Sequence, residues 1–246
     1  MANRFPEVDI ARGCAIVLMI VSNLVTDLQF FYNYSGNETF WWLFARATAT
    51  VFIFLVGVSL VLSHKKRDLE AGVSGPAFFH NFTHYLKRGA YVFCLGLLLT
   101  AITYFLIPND FIRFGVLHLI GISIMIGFLF LKMNKYFSFI IGIFLILMGF
   151  LITNITATTD NLFFLGLITK TFSSVDYFPI FPWLGVVLLG IFAGKVLYAQ
   201  HKPLFDLKQT FFTSLFSWLG RNSLVIYLVH QPVLLTVLFL YNRILI

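Results

Sequence analysis

Two histidines, His118 and His230, stand inside apolar stretches of this sequence, with carboxylates, guanidiniums and amides near them or at the ends of similar stretches. Histidine titrates near neutrality and suits proton transfer. Asparagine and arginine offer the N–H groups that stabilise a developing oxyanion. An ionised side chain at the centre of a membrane helix costs about 2.5–3.5 kcal/mol, so each implies a partner or a water-filled cavity. These residues fall into two layers. The first holds Asp9 and Arg12, three apart and able to pair on one helical face, with Arg221 and Asn222 opening the last apolar run. The second holds Asp27, Arg46, Arg113, His118 and Asp176. His118 follows Arg113 by about 7.5 Å of helix axis, below the rim of a bundle yet reachable from it. His230 and Gln231 precede Pro232 near the middle of the last run, where a proline frees a carbonyl and bends a helix towards a cavity. Structural roles compete throughout: a pinned helix end accounts for Asp9 and Arg12 as well as a ligand does, and a lone membrane histidine is more often a packing residue. Convergence from different helices tips the balance towards a polar cavity.

The elements that must position these residues follow from composition. Of 246 residues, 59% are hydrophobic and 11% charged, against about 25% charged in a soluble domain. A soluble fold cannot cover that much apolar surface, whereas bilayer hydrocarbon matches it in spans of about 20 residues. The apolar runs predict an all-α, polytopic membrane bundle of about seven transmembrane helices, at 8–31, 41–64, 84–107, 112–131, 136–153, 178–199 and 219–242, forming a single domain over 1–246. The first run lacks a small-residue cleavage site and reads as a mature helix. With the N-terminus cytoplasmic, thirteen of the seventeen Lys and Arg fall on the inner side, leaving Arg46, Arg113, Lys170 and Arg243 outside. That bias sets the orientation. It also explains the net charge of +7 without nucleic acid. Cys14 and Cys94 lie inside apolar runs and form neither a disulfide framework nor a metal site. Gly190 and Gly194, four apart in the sixth run, have the spacing that lets helix backbones approach closely.

Several segments carry a resemblance to a known family. The opening Arg4-Phe-Pro-Glu-Val-Asp9-Ile-Ala-Arg12-Gly13 is the first, followed by Phe52-Ile-Phe-Leu-Val-Gly57-Val-Ser59 and Phe114-Gly-Val-Leu-His118-Leu-Ile-Gly-Ile-Ser123. Asp176-Tyr-Phe-Pro-Ile-Phe-Pro-Trp-Leu-Gly185 and Leu219-Gly-Arg-Asn-Ser-Leu-Val-Ile-Tyr-Leu-Val-His230-Gln-Pro232 complete the set. Together they resemble the heparan-α-glucosaminide N-acetyltransferase catalytic-domain family, in its small prokaryotic form, within the wider transmembrane acyltransferases. The resemblance implies transfer of an acetyl or other acyl group from cytosolic acyl-coenzyme A to an envelope sugar or glycolipid on the far side of the plasma membrane. Lysosomal-type members pair an asparagine late in the first helix with a histidine in the following outer loop. Asn23 matches that asparagine, but residues 28–40 contain no histidine.

On this resemblance the base passes to His118, oriented by Asp27 or Asp176. Asn23, Arg46 and Arg113 are placed at the oxyanion or acceptor, with Asp176, His230 and Gln231 lining the acceptor's cavity. Asp9, Arg12, Arg67, Lys87, Arg88, Arg221 and Asn222 are expected to face acetyl-coenzyme A, though anchoring alone also accounts for the basic ones. The expected partners are membrane lipids and the sugar acceptor, with self-association left open; no metal and no haem is expected. A haem held by His118 and His230 needs both nitrogens at one level, and the two are offset. The competing function is a non-catalytic carrier, flippase-like or binding protein that retains the acyltransferase fold.

Overall fold

The computed structural model describes residues 5–70, 77–200 and 202–245, and within them leaves out the side chains of 68–81 and 242–245. Arg4 of the opening motif and the middle of the 65–83 connection lie outside the described residues. The chain is all-helical and polytopic. Its α-helices are α1 (Pro6–Tyr32), α2 (Glu38–Glu70), α3 (Ala77–Leu106), α4 (Val116–Lys132), α5 (Lys135–Thr153), α6 (Ile180–Leu197), α7 (Phe211–Arg221) and α8 (Ser223–Leu245). Six are long and apolar enough to cross a membrane, and α4 is a shorter apolar helix. The protein is a multi-pass membrane protein.

Four expected boundaries move. The last span begins at Ser223, because 211–221 forms a separate amphipathic helix capped by Thr210, whose hydroxyl accepts from Thr213 N at 3.3 Å. Arg221 and Asn222 therefore sit at the α7–α8 junction instead of opening a span. The fourth helix starts at Val116, so Arg113 lies in the irregular segment before it. Helices α2 and α3 also extend into the 65–83 connection, to Glu70 and from Ala77.

The chain packs as two compact units, Met1–Leu55 with Lys202–Ile246, and Val56–His201. In the first, α1 and α7 touch backbone to backbone. A Cβ on Gly13 would strike the carbonyl of Phe216, and one on Gly220 the carbonyl of Asp9. Glycine is required at both crossings, and its absence of side chain is what gives α7 its register on α1.

In the second unit the same device holds α3 to α4. A Cβ on Gly89 would lie 2.7 Å from Gly121 O, and one on Gly121 2.8 Å from Gly89 O. Gly190 and Gly194 face α2, at Gly57 and Val61 respectively. Helix α4 has 17 residues, about 26 Å at 1.5 Å per residue, short of a hydrocarbon core of about 30 Å. Irregular backbone at its N-terminal end completes the length. Non-helical backbone survives there only if protein satisfies it, and 107–115 is knitted to 154–179 accordingly. Val175 N donates to Asp110 O at 2.9 Å, Phe178 N to Phe114 O at 2.8 Å, and Phe114 and Tyr177 form a parallel bridge.

Candidate active site

In the first unit two side-chain pairs join α1 to α8 among the described residues, and Tyr32 also donates through its hydroxyl to Leu238 O at 2.9 Å. Asn23 and Asp27 are four apart on α1 and so share one face. His230 Nε2 lies 2.7 Å from Asn23 Nδ2. Gln231 Nε2 donates to both oxygens of Asp27, at 2.8 and 3.0 Å. Asp27 is buried, while Asn23, His230 and Gln231 are half-buried.

The protonation pattern of His230 follows from its other nitrogen. Nδ1 is 2.6 Å from the carbonyl of Tyr227, and a carbonyl can only accept. Nδ1 therefore carries the proton, and in the neutral ring Nε2 holds the lone pair. The Asn23 amide must then donate to it. The result is an imidazole with a basic nitrogen aimed at an amide donor, its ring orientation fixed by a backbone carbonyl. That is the relation of base to orienting group used in general-base catalysis.

His118, in the second unit, shows the reverse arrangement. It is the third residue of α4, 1% exposed, and its Nδ1 accepts from Gly115 N at 3.1 Å. A backbone N–H can only donate, so here Nδ1 holds the lone pair and Nε2 the proton. Nε2 is buried and meets no hydrogen-bond partner among the described residues. The ring stacks on Phe114 at 5.5 Å and meets Phe93 edge-on at 5.1 Å. Gly96 of α3 leaves room for it: a Cβ there would stand 3.0 Å from the imidazole.

The residues grouped with His118 in the sequence serve the same junction. Asp176 Oδ2 accepts from Val116 N at 3.1 Å, a carboxylate at the positive end of α4. Ser174 Oγ, which the sequence did not single out, accepts from Arg113 N at 3.3 Å and lies 3.0 Å from both Phe111 O and Asp176 O. Only the Ser-Ser-Val-Asp turn ahead of the sixth span hinted at it. The Arg113 guanidinium lies 4.0 Å from Asp160 and packs over Phe111 and Phe172 at 5.0 and 4.9 Å. Tyr177 donates to Phe163 O at 2.6 Å. Burial, reinforced by the charge of Asp160, pushes its phenol above the ordinary range, so it stays a donor. Arg46, in the first unit, stacks over Trp42 at 5.2 Å.

The inner layer of the sequence also takes shape in the first unit. Arg12 lies 3.5 Å from Asp9 and donates to Gly220 O at 3.1 Å. Beside this pair an open cleft of about 460 Å³ is lined by Asp9, Arg221, Gln209 and the hydroxyls of Thr213, Ser214 and Ser217. Asn222 turns back to Trp218 O at 2.9 Å. In the other unit Arg88 reaches Ser63 at 3.5 Å, and Lys87 is exposed. Among the described residues no group of three His, Cys, Asp or Glu side chains is placed to hold a metal ion.

Compared with known proteins, the chain matches the family model for the heparan-alpha-glucosaminide N-acetyltransferase catalytic domain over residues 4–232. No curated protein and no solved structure gives a match.

Proposed function

Since the chain belongs to the heparan-alpha-glucosaminide N-acetyltransferase catalytic family, a family of membrane acetyltransferases, we propose that it moves an acetyl group from cytosolic acetyl-coenzyme A to an amine or hydroxyl of an envelope sugar or glycolipid. In this reading His230 is the base and Asn23 the oxyanion donor. The observation that carries it is the Nε2 lone pair of His230 facing the Asn23 amide at 2.7 Å. His118 is passed over because its one lone pair is committed to Gly115 N and its ring is enclosed.

The chemistry balances with these two side chains. The acceptor N or O attacks the thioester carbonyl while Nε2 of His230 takes its proton. Negative charge gathers on the carbonyl oxygen, where the Asn23 amide, released from Nε2, donates to it. The intermediate collapses, the C–S bond breaks, and the imidazolium returns the proton to the departing thiolate of coenzyme A. Asp27, one helical turn along α1 from Asn23, and Gln231, the residue after His230, hold α8 in register and offer acceptor-binding groups. The cleft with Asp9 and Arg221 suits the polar end of the coenzyme, flanked by Arg12 and Asn222. Arg67, Lys87, Arg88, Arg46, Arg113 and Asp176 keep their ligand roles on the family resemblance alone.

Thiol release by purified protein, with acetyl-coenzyme A and amine- and hydroxyl-bearing sugars, tests the reading. Wild type should release thiol in the presence of an acceptor and His230→Ala should not, while still binding the coenzyme. No release across the acceptor panel would sink the enzyme reading and leave the carrier. The orientation, N-terminus inside, rests on the basic bias alone. Single cysteines at Ser35 and Asn134 in a cysteine-free background should react with an impermeant reagent on intact cells at 35 only; the opposite pattern inverts it.

A further inference from the structure

In the first unit α7 turns its polar side to the protein. Ser217 and Gly220 are buried, and Thr213, Ser214, Ser217 and Arg221 line the cleft beside Asp9. Phe211, Leu215 and Trp218, spaced i, i+4 and i+7, form the opposite side, 76, 39 and 52% exposed, with Phe212 next to them. The glycine contacts also give the direction of the helix. Phe216 meets α1 at Gly13, and Gly220, four residues later, meets it at Asp9, so α7 runs antiparallel to α1.

Direction fixes depth. Helix α1 has 27 residues, about 40 Å, which exceeds a hydrocarbon core of about 30 Å by about 10 Å. Gly13 is seven residues beyond Pro6, about 10 Å along the axis. Even with all the excess length at this end, Gly13 stands at the hydrocarbon boundary. Phe211, five residues before Phe216, then reaches up to about 7 Å beneath it. The chain enters from the same end, where Leu204 N donates to Glu7 at 3.0 Å. Residues 202–210, which lead into α7, are irregular and exposed throughout, and they include Lys202, Asp206 and Lys208. Non-helical backbone and ionised side chains survive at membrane depth only inside protein or beside water. Exposure rules out the first. The open cleft of about 460 Å³ supplies the second, since Leu207 and Gln209 line it.

We propose that 202–221 is a re-entrant element of the membrane domain. Acyl chains of one leaflet cover the aromatic side of α7, and its hydroxyl side keeps the cleft at Asp9 and Arg221 filled with water from the bilayer surface. Lipid is the occupant because α1 crosses the bilayer at the same level: a leaflet that surrounds α1 from Gly13 onward surrounds Phe211 too. The cleft is then a water-filled bay, walled from lipid by a single helix. This goes beyond the acyl-transfer reading, and its test reads solvent contact alone.

Full-length protein carrying Cys14→Ser and Cys94→Ser receives single nitroxide labels at Lys202→Cys, Phe212→Cys, Ser214→Cys and Leu215→Cys. In nanodiscs of phosphatidylcholine and phosphatidylglycerol, collisions with oxygen, which concentrates among acyl chains, are compared with collisions with a water-soluble nickel chelate. Oxygen should dominate at 212 and 215 and nickel at 202 and 214, so the logarithm of the ratio changes sign between adjacent residues 214 and 215. A label that spoils the elution profile is moved along the same side, to Phe211→Cys or Trp218→Cys for the aromatic side and Gln209→Cys for the cleft. Nickel dominance at 212 and 215 overturns the proposal, and so does oxygen dominance at 214. Dipolar broadening at 215 that vanishes on dilution with unlabelled protein overturns it as well, by assigning the aromatic side to a second copy of the chain.

Discussion

The histidines of the two units are held as opposite tautomers. His230 gives its Nδ1 proton to a carbonyl and turns a lone pair towards another helix. His118 gives its Nδ1 lone pair to an amide of its own helix start and keeps a proton on the enclosed nitrogen. Both are membrane histidines near charged residues, and burial alone ranks His118 as the more unusual. What separates them is the chemistry of the group each one faces. Around His118 the partners of Asp176 and Ser174 are backbone amides and carbonyls a short distance away, and such contacts fix the chain. Around His230 and Gln231 the partners are side chains of α1, which can exchange for a substrate without unravelling a helix.

The sharpest way to break this contrast is to delete each ring in turn. His230→Ala should lower acetyl transfer by about 10²–10⁴-fold, the usual cost of losing a general base, with folded yield near that of wild type. His118→Ala should keep activity per folded molecule while lowering the folded fraction. Activity assays normalised to size-exclusion yield check both, and the reverse pattern would reassign the base to His118.

Next in size is the Asp27–Gln231 contact. Gln231→Leu leaves a buried carboxylate without its donor and should cost about 1–3 kcal/mol, read from thermal unfolding in detergent. The cap is expected to be weaker: Asp176→Ala should destabilise by about 0.5–2 kcal/mol, as for other helix N-caps, by the same measurement. Smallest is the Asp9–Arg12 pair, each side chain about a fifth exposed. A double-mutant cycle should return a coupling below about 1 kcal/mol. Arg12→Ala alone should cost more than Asp9→Ala, because it also releases Gly220 O.

Much of the fold was legible because hydrocarbon imposes a single demand, long apolar runs, that needs no knowledge of partners. Where the reading failed, two signals overlapped. Leu219 and Gly220 lie in the last turn of α7, yet in sequence they run almost without a break into the apolar residues of α8. The Thr210 cap and the alternation of Phe211, Phe212, Leu215 and Phe216 with hydroxyls were the available cues. Arg113 looked like a helix start because Pro108-Asn109-Asp110 marks a turn, but the chain stays irregular until Gly115. The site was legible only as a list of residue types. Asn23 and His230 are 207 residues apart, and nothing local encodes which face of α1 meets which face of α8. That register comes from packing: α7, locked to α1 at Gly13 and Gly220, is separated from α8 by the single residue Asn222.

The same separation acts during synthesis. At 5–20 residues per second, a ribosome takes about 10–40 s to make the stretch between Asn23 and its partner. Throughout that interval α1 is already a membrane-length helix, and neither Gln231 nor His230 yet exists to meet Asp27 and Asn23. A lone carboxylate, whose cost in hydrocarbon rises to about 2.5–3.5 kcal/mol at the centre of a span, is best held near the interface until its donor arrives. The arrival of the last helix is thus the event that seats the first.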